Sequence, residues 1–397
     1  MTGIGHVTAS ETKLDVRGAG ATRPEGGHVE SRAVSSVVAK IGTSSLTDER
    51  GVIDAEAIAR VCRQVAVLRA EGHRVVVVTS AAVAAGVEAL GMGSNRPTDV
   101  LTLQAVSAVG QSRLMRVWDE AFADVGILSG QVLLTPNEFF DRRQYLHARS
   151  TLQRLLDLGV VPIINENDTI AVDELRFGDN DRIAALVAHL VSADVLVLLT
   201  DTPGLFTGDP RTDPTATLIE HVDDVTPELE AAAGASGTQR GSGGMSSKLR
   251  AAKIASWSGV RAVIAGSTGE QALLDAVAGR AGCGTVVGAR DRKLSARKLW
   301  IAFAGDSEGT LHVDAGAKAA LIERGVSLLP AGAKAATGAF EEGDLVDIAG
   351  PDGKAFARGV TRFDANAARA VFGRRTADLP EGAPTVLVHR DDLVVLP

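Results

Sequence analysis

Cysteine is nearly absent from this chain of 397 residues: only Cys62 and Cys283 occur, and neither stands in a CxxC-type spacing. That excludes a disulfide framework and fits a reducing compartment. The opening MTGIGHVTAS has no basic start followed by an apolar run, so no signal peptide is expected. Long hydrophobic runs are also missing. The most apolar stretch, VVVVTSAAVAAG, is too short to span a bilayer and contains turn residues. Basic charge is not in excess: 49 acidic against 41 basic residues give a net charge of -8, which argues against a protein that coats nucleic acid by charge alone. His147, His189 and His221 are scattered and form no metal or triad pattern. What remains is an ordinary globular composition, 45% apolar and 23% charged, long enough for two domains, with a cytoplasmic enzyme as the default.

The chain reads as alternating strands and helices. Residues 1–33 are rich in Gly, Ser, Thr and charge and cannot bury enough surface to offset the entropy of ordering. A disordered extension is expected there, with a misassigned start as the alternative. Order then begins with SSVVAKIG, a β-branched strand closed by Gly42. In the next segment Ile58, Val61, Cys62, Val65 and Leu68 fall at helical spacing, with Asp54 to cap the helix and Gly72 to stop it. VVVVT, apolar at every position, reads as a strand buried on both faces, as in a parallel sheet covered by helices. The alternation continues through helices at 99–123, 142–158 and 181–191 and one from Met245, interleaved with QVLL, VVPIIN, DVLVLLT and VRAVIAG. This pattern predicts an α/β three-layer sandwich with a mostly parallel central sheet over 34–290, and ligands at the carboxyl ends of its strands. RDRKLSARK marks a linker at 291–297. GTLHVD, DLVDIAG and AFARGVT around the helix AKAALIERG predict a small β-rich domain at 298–376, and residues 377–397 are expected to be a tail packed on one of the domains.

Four polar clusters follow predicted strands. Lys40-Ile41-Gly42-Thr43-Ser44-Ser45 suits phosphate, since glycine lets the backbone approach and ammonium neutralises charge. The plain alternative is a lysine with a buried stem and a solvated head. Thr79-Ser80-Ala81-Ala82 can bind a small ligand, or its serine can cap the next helix. Asn165-Glu166-Asn167-Asp168 and Gly178-Asp179-Asn180-Asp181 can hold an ammonium, orient lysines or meet Mg²⁺ through water. Asx turns and an Asp cap are the alternative. Thr200-Asp201 is followed later by Gly241-Ser242-Gly243-Gly244-Met245-Ser246-Ser247-Lys248, a glycine-rich loop opening a helix. That is a favourable place for phosphate, or a plain flexible loop; it is not a P-loop, because GxxxxGK[ST] is absent.

In this order AKIGTSSLT, VVVVTSAAVAAG, AVGQSRLM, VVPIINENDTI, FGDNDRIAALVA, VLLTDTPGLFTGDPR and GSGGMSSKLRAA resemble the amino acid kinase family. GVSLLPAGAKAATGAF and VLVHRDD point to the branch with a C-terminal PUA domain, and the resemblance covers about residues 36–393. It implies an amino acid kinase domain at 34–290 and a PUA-like domain at 298–376. The implied reaction carries the γ-phosphoryl group of ATP, with Mg²⁺, to the γ-carboxylate of L-glutamate. The product would be L-glutamyl 5-phosphate, in the first step of proline biosynthesis, with proline as feedback inhibitor. On the matching positions, Lys40 and Lys248 would contact the ATP phosphates and the transferring group, and Asp181 would hold both lysines. Ser80, Asp168 and Asn180 would bind glutamate. Thr200 and Asp201, with Ser242, Gly243, Gly244, Met245, Ser246, Ser247 and Lys248, would line the nucleotide site. No residue is assigned as a direct metal ligand. The resemblance also implies a cytoplasmic homo-oligomer without a membrane anchor, and a glutamyl phosphate reductase as pathway partner. The chemistry agrees: a carboxylate is already a nucleophile at neutral pH, so no general base is needed, only alignment and charge neutralisation.

The family usually has glycine where this chain has Ala81. If that position needs positive φ, alanine is expected to weaken glutamate binding; if φ is negative, alanine fits. Other carboxylate kinases of the family are the nearest alternative, although they usually begin with a KxGG-type segment and carry other C-terminal domains. A different class, RNA binding through the PUA-like domain, is opposed by its charge: residues 297–376 hold 11 Lys+Arg and 10 Asp+Glu, a net +1.

Overall fold

The computed structural model describes residues 35–396, apart from 94–95, 140, 172–179, 211, 236–243, 292, 304–306 and 381. The expected extension 1–33, together with Gly178, Asp179, Gly241, Ser242 and Gly243, lies outside the described residues.

Strands and helices alternate as expected. In chain order they are β1 (Ser36–Ile41), α1 (Ala55–Ala70), β2 (Arg74–Val78), α2 (Ala82–Ala89), α3 (Val100–Ala123), β3 (Ser129–Leu134), α4 (Arg142–Asp157) and β4 (Val161–Glu166). Then follow α5 (Asn180–Leu190), β5 (Val195–Thr200), β6 (His221–Val222), α6 (Pro227–Ala235), α7 (Met245–Trp257), β7 (Arg261–Gly266), α8 (Ala272–Ala278) and β8 (Thr285–Val287). Asp54 caps α1, accepting from the N–H groups of Glu56 and Ala57.

The sheet runs β3-β4-β2-β1-β5-β7-β8-β6 and is parallel except where β8 meets β7. Successive side chains of its central strands enter opposite cores. Val38, Val76, Val78, Ile164, Leu196 and Leu198 pack with α5 and α7 on one face. Val37, Ala39, Val75, Val77, Ile163 and Val197 pack with α1 and α3 on the other. Burial on both faces is why these strands are apolar throughout. Strand order reverses between β1 and β5, so the carboxyl ends of β2, β1 and β5 flank a crevice of the kind that takes ligands in open α/β sheets.

A second sheet holds β9 (Gly309–Val313), β10 (Ala333–Gly338), β11 (Leu345–Ala349), β12 (Ala355–Thr361) and β13 (Val388–Val395) in the order β10-β9-β11-β12-β13. Helices α10 (Ala315–Arg324) and α11 (Ala365–Val371) accompany it. Two expectations differ from the structure. The stretch read as a tail supplies β13, paired antiparallel with β12. Helix α9 (Ala296–Phe303) crosses the boundary expected between linker and second domain. Its Leu299 and Ile301 share a small core with Trp257 of α7 and Val394 of β13. Trp257 meets Phe303 edge to face, with ring centroids 5.3 Å apart, and the Arg290 guanidinium lies 4.3 Å from the Trp257 ring centre. Among the described residues no helix is long and apolar enough to cross a membrane.

Helices α2 and α3 cross backbone to backbone. A β-carbon on Gly110 would sit 1.8 Å from the Ala82 carbonyl oxygen, and one on Gly86 would sit 1.9 Å from that of Val106. Gly110→Ala should therefore cost about 3 kcal/mol, the upper end of ordinary overpacking, because the obstacle is backbone that cannot step aside. Chemical denaturation of the two proteins measures this, and equal midpoints would show that the helices can separate.

Candidate active site

The penultimate residue of β1 is Lys40, whose Nζ lies 2.6 Å from Oδ1 of Asp181. Asp181 stands in the first turn of α5 with 1% of its side chain exposed. Lys248, in the first turn of α7, brings its Nζ to 3.4 Å from Oδ2 of the same carboxylate, and Ser247 Oγ donates to that oxygen at 2.7 Å. Burial pushes the Asp181 carboxyl up, but the Lys40 and Lys248 ammonium groups outweigh it and hold the group at about 2. Lys40 is therefore not a solvated lysine before a turn, and Asp181 is a buried anion bridging two cations.

A second set of polar groups adjoins the first through Asn180. Asn180 Nδ2 donates to Ser80 Oγ at 3.1 Å, and the Glu166 N–H donates to Asn180 Oδ1 at 3.2 Å and to Asn165 Oδ1 at 2.9 Å. Asn165 Nδ2 in turn donates to Gln111 Oε1 at 2.7 Å. One turn earlier on α3, Ser107 Oγ donates to Asp168 Oδ2 at 2.5 Å. Burial pushes the Asp168 carboxyl up, and the Ser107 hydroxyl offsets part of that rise. Trp118 Nε1 donates to Thr79 Oγ1 at 3.0 Å, tying the end of β2 to α3.

The Ser80 cap reading fails. The residue at the N-cap of α2 is Ala81, with no side-chain cap bond, and Ser80 Oγ is engaged with Asn180 instead. Ala81 adopts φ 82° and ψ 12°, the left-handed region, with 6% of its surface exposed. This is the case in which glycine would be the natural occupant.

Thr200 closes β5, and its Oγ1 donates to Asp201 Oδ1 at 3.0 Å. Thr200 lies two residues beyond Leu198, the register partner of Lys40. Beside it the Ser267 N–H donates to the Thr200 carbonyl at 2.8 Å, and Ser267 Oγ reaches Ser45 Oγ at 2.8 Å, so the loops after β1, β5 and β7 are linked. Gly244 is the N-cap of α7 without a side-chain cap bond, Met245 packs against the core, and Ser246 is half-buried.

Lys40, Lys248, Asp181, Asn180 and Ser80 thus form one connected group. Asp168 joins it through the Ser107–Gln111 face of α3 rather than directly. Sequence reasoning assigned nothing to Ser107 or Gln111. Their signal was available, because both interrupt the buried stripe Val106, Gly110, Leu114, Trp118 of α3 with polar side chains.

A model of the amino acid kinase family matches residues 35–266, and one of the PUA domain matches residues 309–382. The chain belongs to the amino acid kinase family. It is similar over almost its whole length to proteins named glutamate 5-kinase. That of Geobacter sp. (strain M21) is 45% identical over 369 residues, 92% of this chain and 98% of that protein. That of Myxococcus xanthus is 47% identical over 378 residues, 93% and 98% of the two chains, and that of Burkholderia multivorans 44% over 364 residues, 91% and 97%.

An alanine held at positive φ is strained by about 1–2 kcal/mol, while glycine gains unfolded-state entropy worth roughly half of that. Ala81→Gly should therefore raise the stability of the folded chain by about 1 kcal/mol, read as a higher melting temperature. A lower melting temperature would mean that the loop keeps alanine without strain.

Proposed function

We propose that this chain transfers the γ-phosphoryl group of ATP to the γ-carboxylate of L-glutamate, giving L-glutamyl 5-phosphate, the first step of proline biosynthesis. The observation that carries the reading is the buried Asp181 carboxylate holding Lys40, near the end of β1, and Lys248, in the first turn of α7, next to the buried polar side chains of Ser80, Asp168 and Asn180. The similarity to glutamate 5-kinases over both domains supports the choice of substrate.

In this reading the carboxylate oxygen attacks the γ-phosphorus, the bond from phosphorus to the β–γ bridging oxygen breaks, and ADP leaves. Both partners are anions, so the chain must align them and spread positive charge over the transferring group. Lys40 and Lys248 supply that charge, and Asp181 fixes where it sits. The N-terminal end of α7 suits the phosphates, as helix N-termini do. Asp168 receives the substrate ammonium, and Ser80 and Asn180 supply polar contacts for the amino acid. Mg²⁺, where it accompanies ATP, would supply further charge neutralisation at the phosphates. Asp181 does not suit it as a ligand, because both carboxylate oxygens are already taken by Lys40, Lys248 and Ser247. The reading extends to a cytoplasmic homo-oligomer inhibited by proline and followed by glutamyl phosphate reductase.

Trapping the product as hydroxamate tests the substrate: ATP turnover should require L-glutamate, and a preference for aspartate or N-acetylglutamate would overturn the assignment. Lys248→Ala should lower kcat about 100-fold or more, as for loss of a preorganised charge donor; a normal kcat with only a raised KM for ATP would refute its role.

Asp168→Asn separates binding from stability. It should raise the L-glutamate KM at least about tenfold and leave the ATP KM nearly constant, since the lost contact is charge-assisted. Because burial raises the folded-state pKa of Asp168, its stabilising share is present below the unfolded value of 3.8 and is lost as pH rises through the folded value. The Asn variant escapes that loss and should melt higher than the parent at neutral pH. A lower melting point at every pH would count against a carboxylate kept for binding at the expense of stability.

A further inference from the structure

Gln111 belongs to the buried stripe of α3, yet its amide is only half engaged. The orientation of that amide follows from its neighbours. The Glu166 backbone N–H can only donate, and Asn165 Oδ1 accepts from it, so Asn165 must present Nδ2 to Gln111. The Gln111 atom facing Asn165 is then the oxygen, and Nε2 points elsewhere. Nε2 is sealed from solvent and has no hydrogen-bond partner among the described residues. The residue as a whole is 9% exposed. A buried donor without an acceptor costs stability, and native chains rarely keep one unless something else supplies the acceptor.

The missing acceptor is expected at one particular end of the pocket. Ser107 and Gln111 are four residues apart on one helix face, and Ser107 holds Asp168, the group that meets the substrate ammonium in the reading above. The phosphoryl end is elsewhere, at Asp181. In an α-amino acid the ammonium shares its carbon with the α-carboxylate, so an α-carboxylate oxygen falls near whatever flanks Asp168.

We infer that Gln111 is a substrate-binding residue whose Nε2 donates to the α-carboxylate of the amino-acid acceptor, so that this site selects substrates with a free α-carboxylate. Oε1 meanwhile holds Asn165, and through the Glu166 N–H it steadies Asn180 and Ser80. The assignment rests on the glutamate-kinase reading of the pocket.

Two variants of the full chain separate the atoms of this amide. Gln111→Glu keeps an oxygen for Asn165 but replaces the donor with a negative charge. Gln111→Met removes both. With a donor role, both variants raise the L-glutamate KM at least about tenfold, Gln111→Glu more than Gln111→Met, while kcat and the ATP KM stay within about twofold. The inhibition constant of 4-aminobutyrate, which is glutamate without its α-carboxylate, should not change in Gln111→Met. A Gln111→Glu enzyme with a parental L-glutamate KM would overturn the inference, because it would mean that only the oxygen matters. Should Gln111→Glu fail to fold, Gln111→Met decides: equal losses for L-glutamate and 4-aminobutyrate would mean a purely positioning role. Wild-type enzyme that does not turn over L-glutamate at all would instead sink the reading of the function.

Discussion

Asp181 keeps its charge although almost no water reaches it, and it does so because Lys40 and Lys248 lie on either side. A lone buried carboxylate would be costly enough to take up a proton, and two buried ammonium groups without it would repel each other. The three residues come from β1, α5 and α7, far apart in the chain. The cluster therefore exists only while the sheet and the two helices on its face keep their spacing. Two ammonium groups are thereby gathered around one carboxylate, so the arrangement that makes burial tolerable also concentrates cations where the proposed reaction would bring phosphate.

The polar cluster around Asp168, Ala81 and Gln111 is built less comfortably. Asp168 is buried against a single hydroxyl, Ala81 is held at positive φ, and one hydrogen-bonding group of Gln111 goes unanswered. Each of these lowers the stability of the fold, and all three lie near the contact between α2 and α3. Strain gathered in one cluster is the mark of groups kept for binding rather than for stability. Gly86 and Gly110 make this arrangement possible, since only their missing side chains let α3 come close enough to contribute.

Much of this was legible in the sequence. Strands buried on both faces left apolar runs, Asp54 marked a helix start, and the described residues of the polar clusters lie near the carboxyl end of a strand or the start of a helix. What the sequence concealed depends on contacts between distant segments. That Asn180, not a neighbouring amide, would occupy the Ser80 hydroxyl depends on how α5 meets the end of β2. The second sheet was harder. β10 is built from Ala333–Gly338, mostly alanine and glycine of low strand propensity, and is extended because it pairs with β9. β13 carries two adjacent aspartates, and its Asp392 is countered by Arg297 of α9 and by Arg362. Without those partners the segment reads as a charged tail.

Helix α7 begins among the groups that would handle phosphate and ends in the small core under β13, where Trp257 is gripped between Phe303 and Arg290. Thirteen residues of helix make a rod about 20 Å long that resists compression. Arg182, next to Asp181, is fastened to the same junction, its Nη2 donating to the Phe303 carbonyl at 2.9 Å. The second sheet is therefore geared to the first through two of its working parts. Tilting it would move Lys248 and Asp181 together, altering the spacing of charge at the crevice without touching a single residue that lines it.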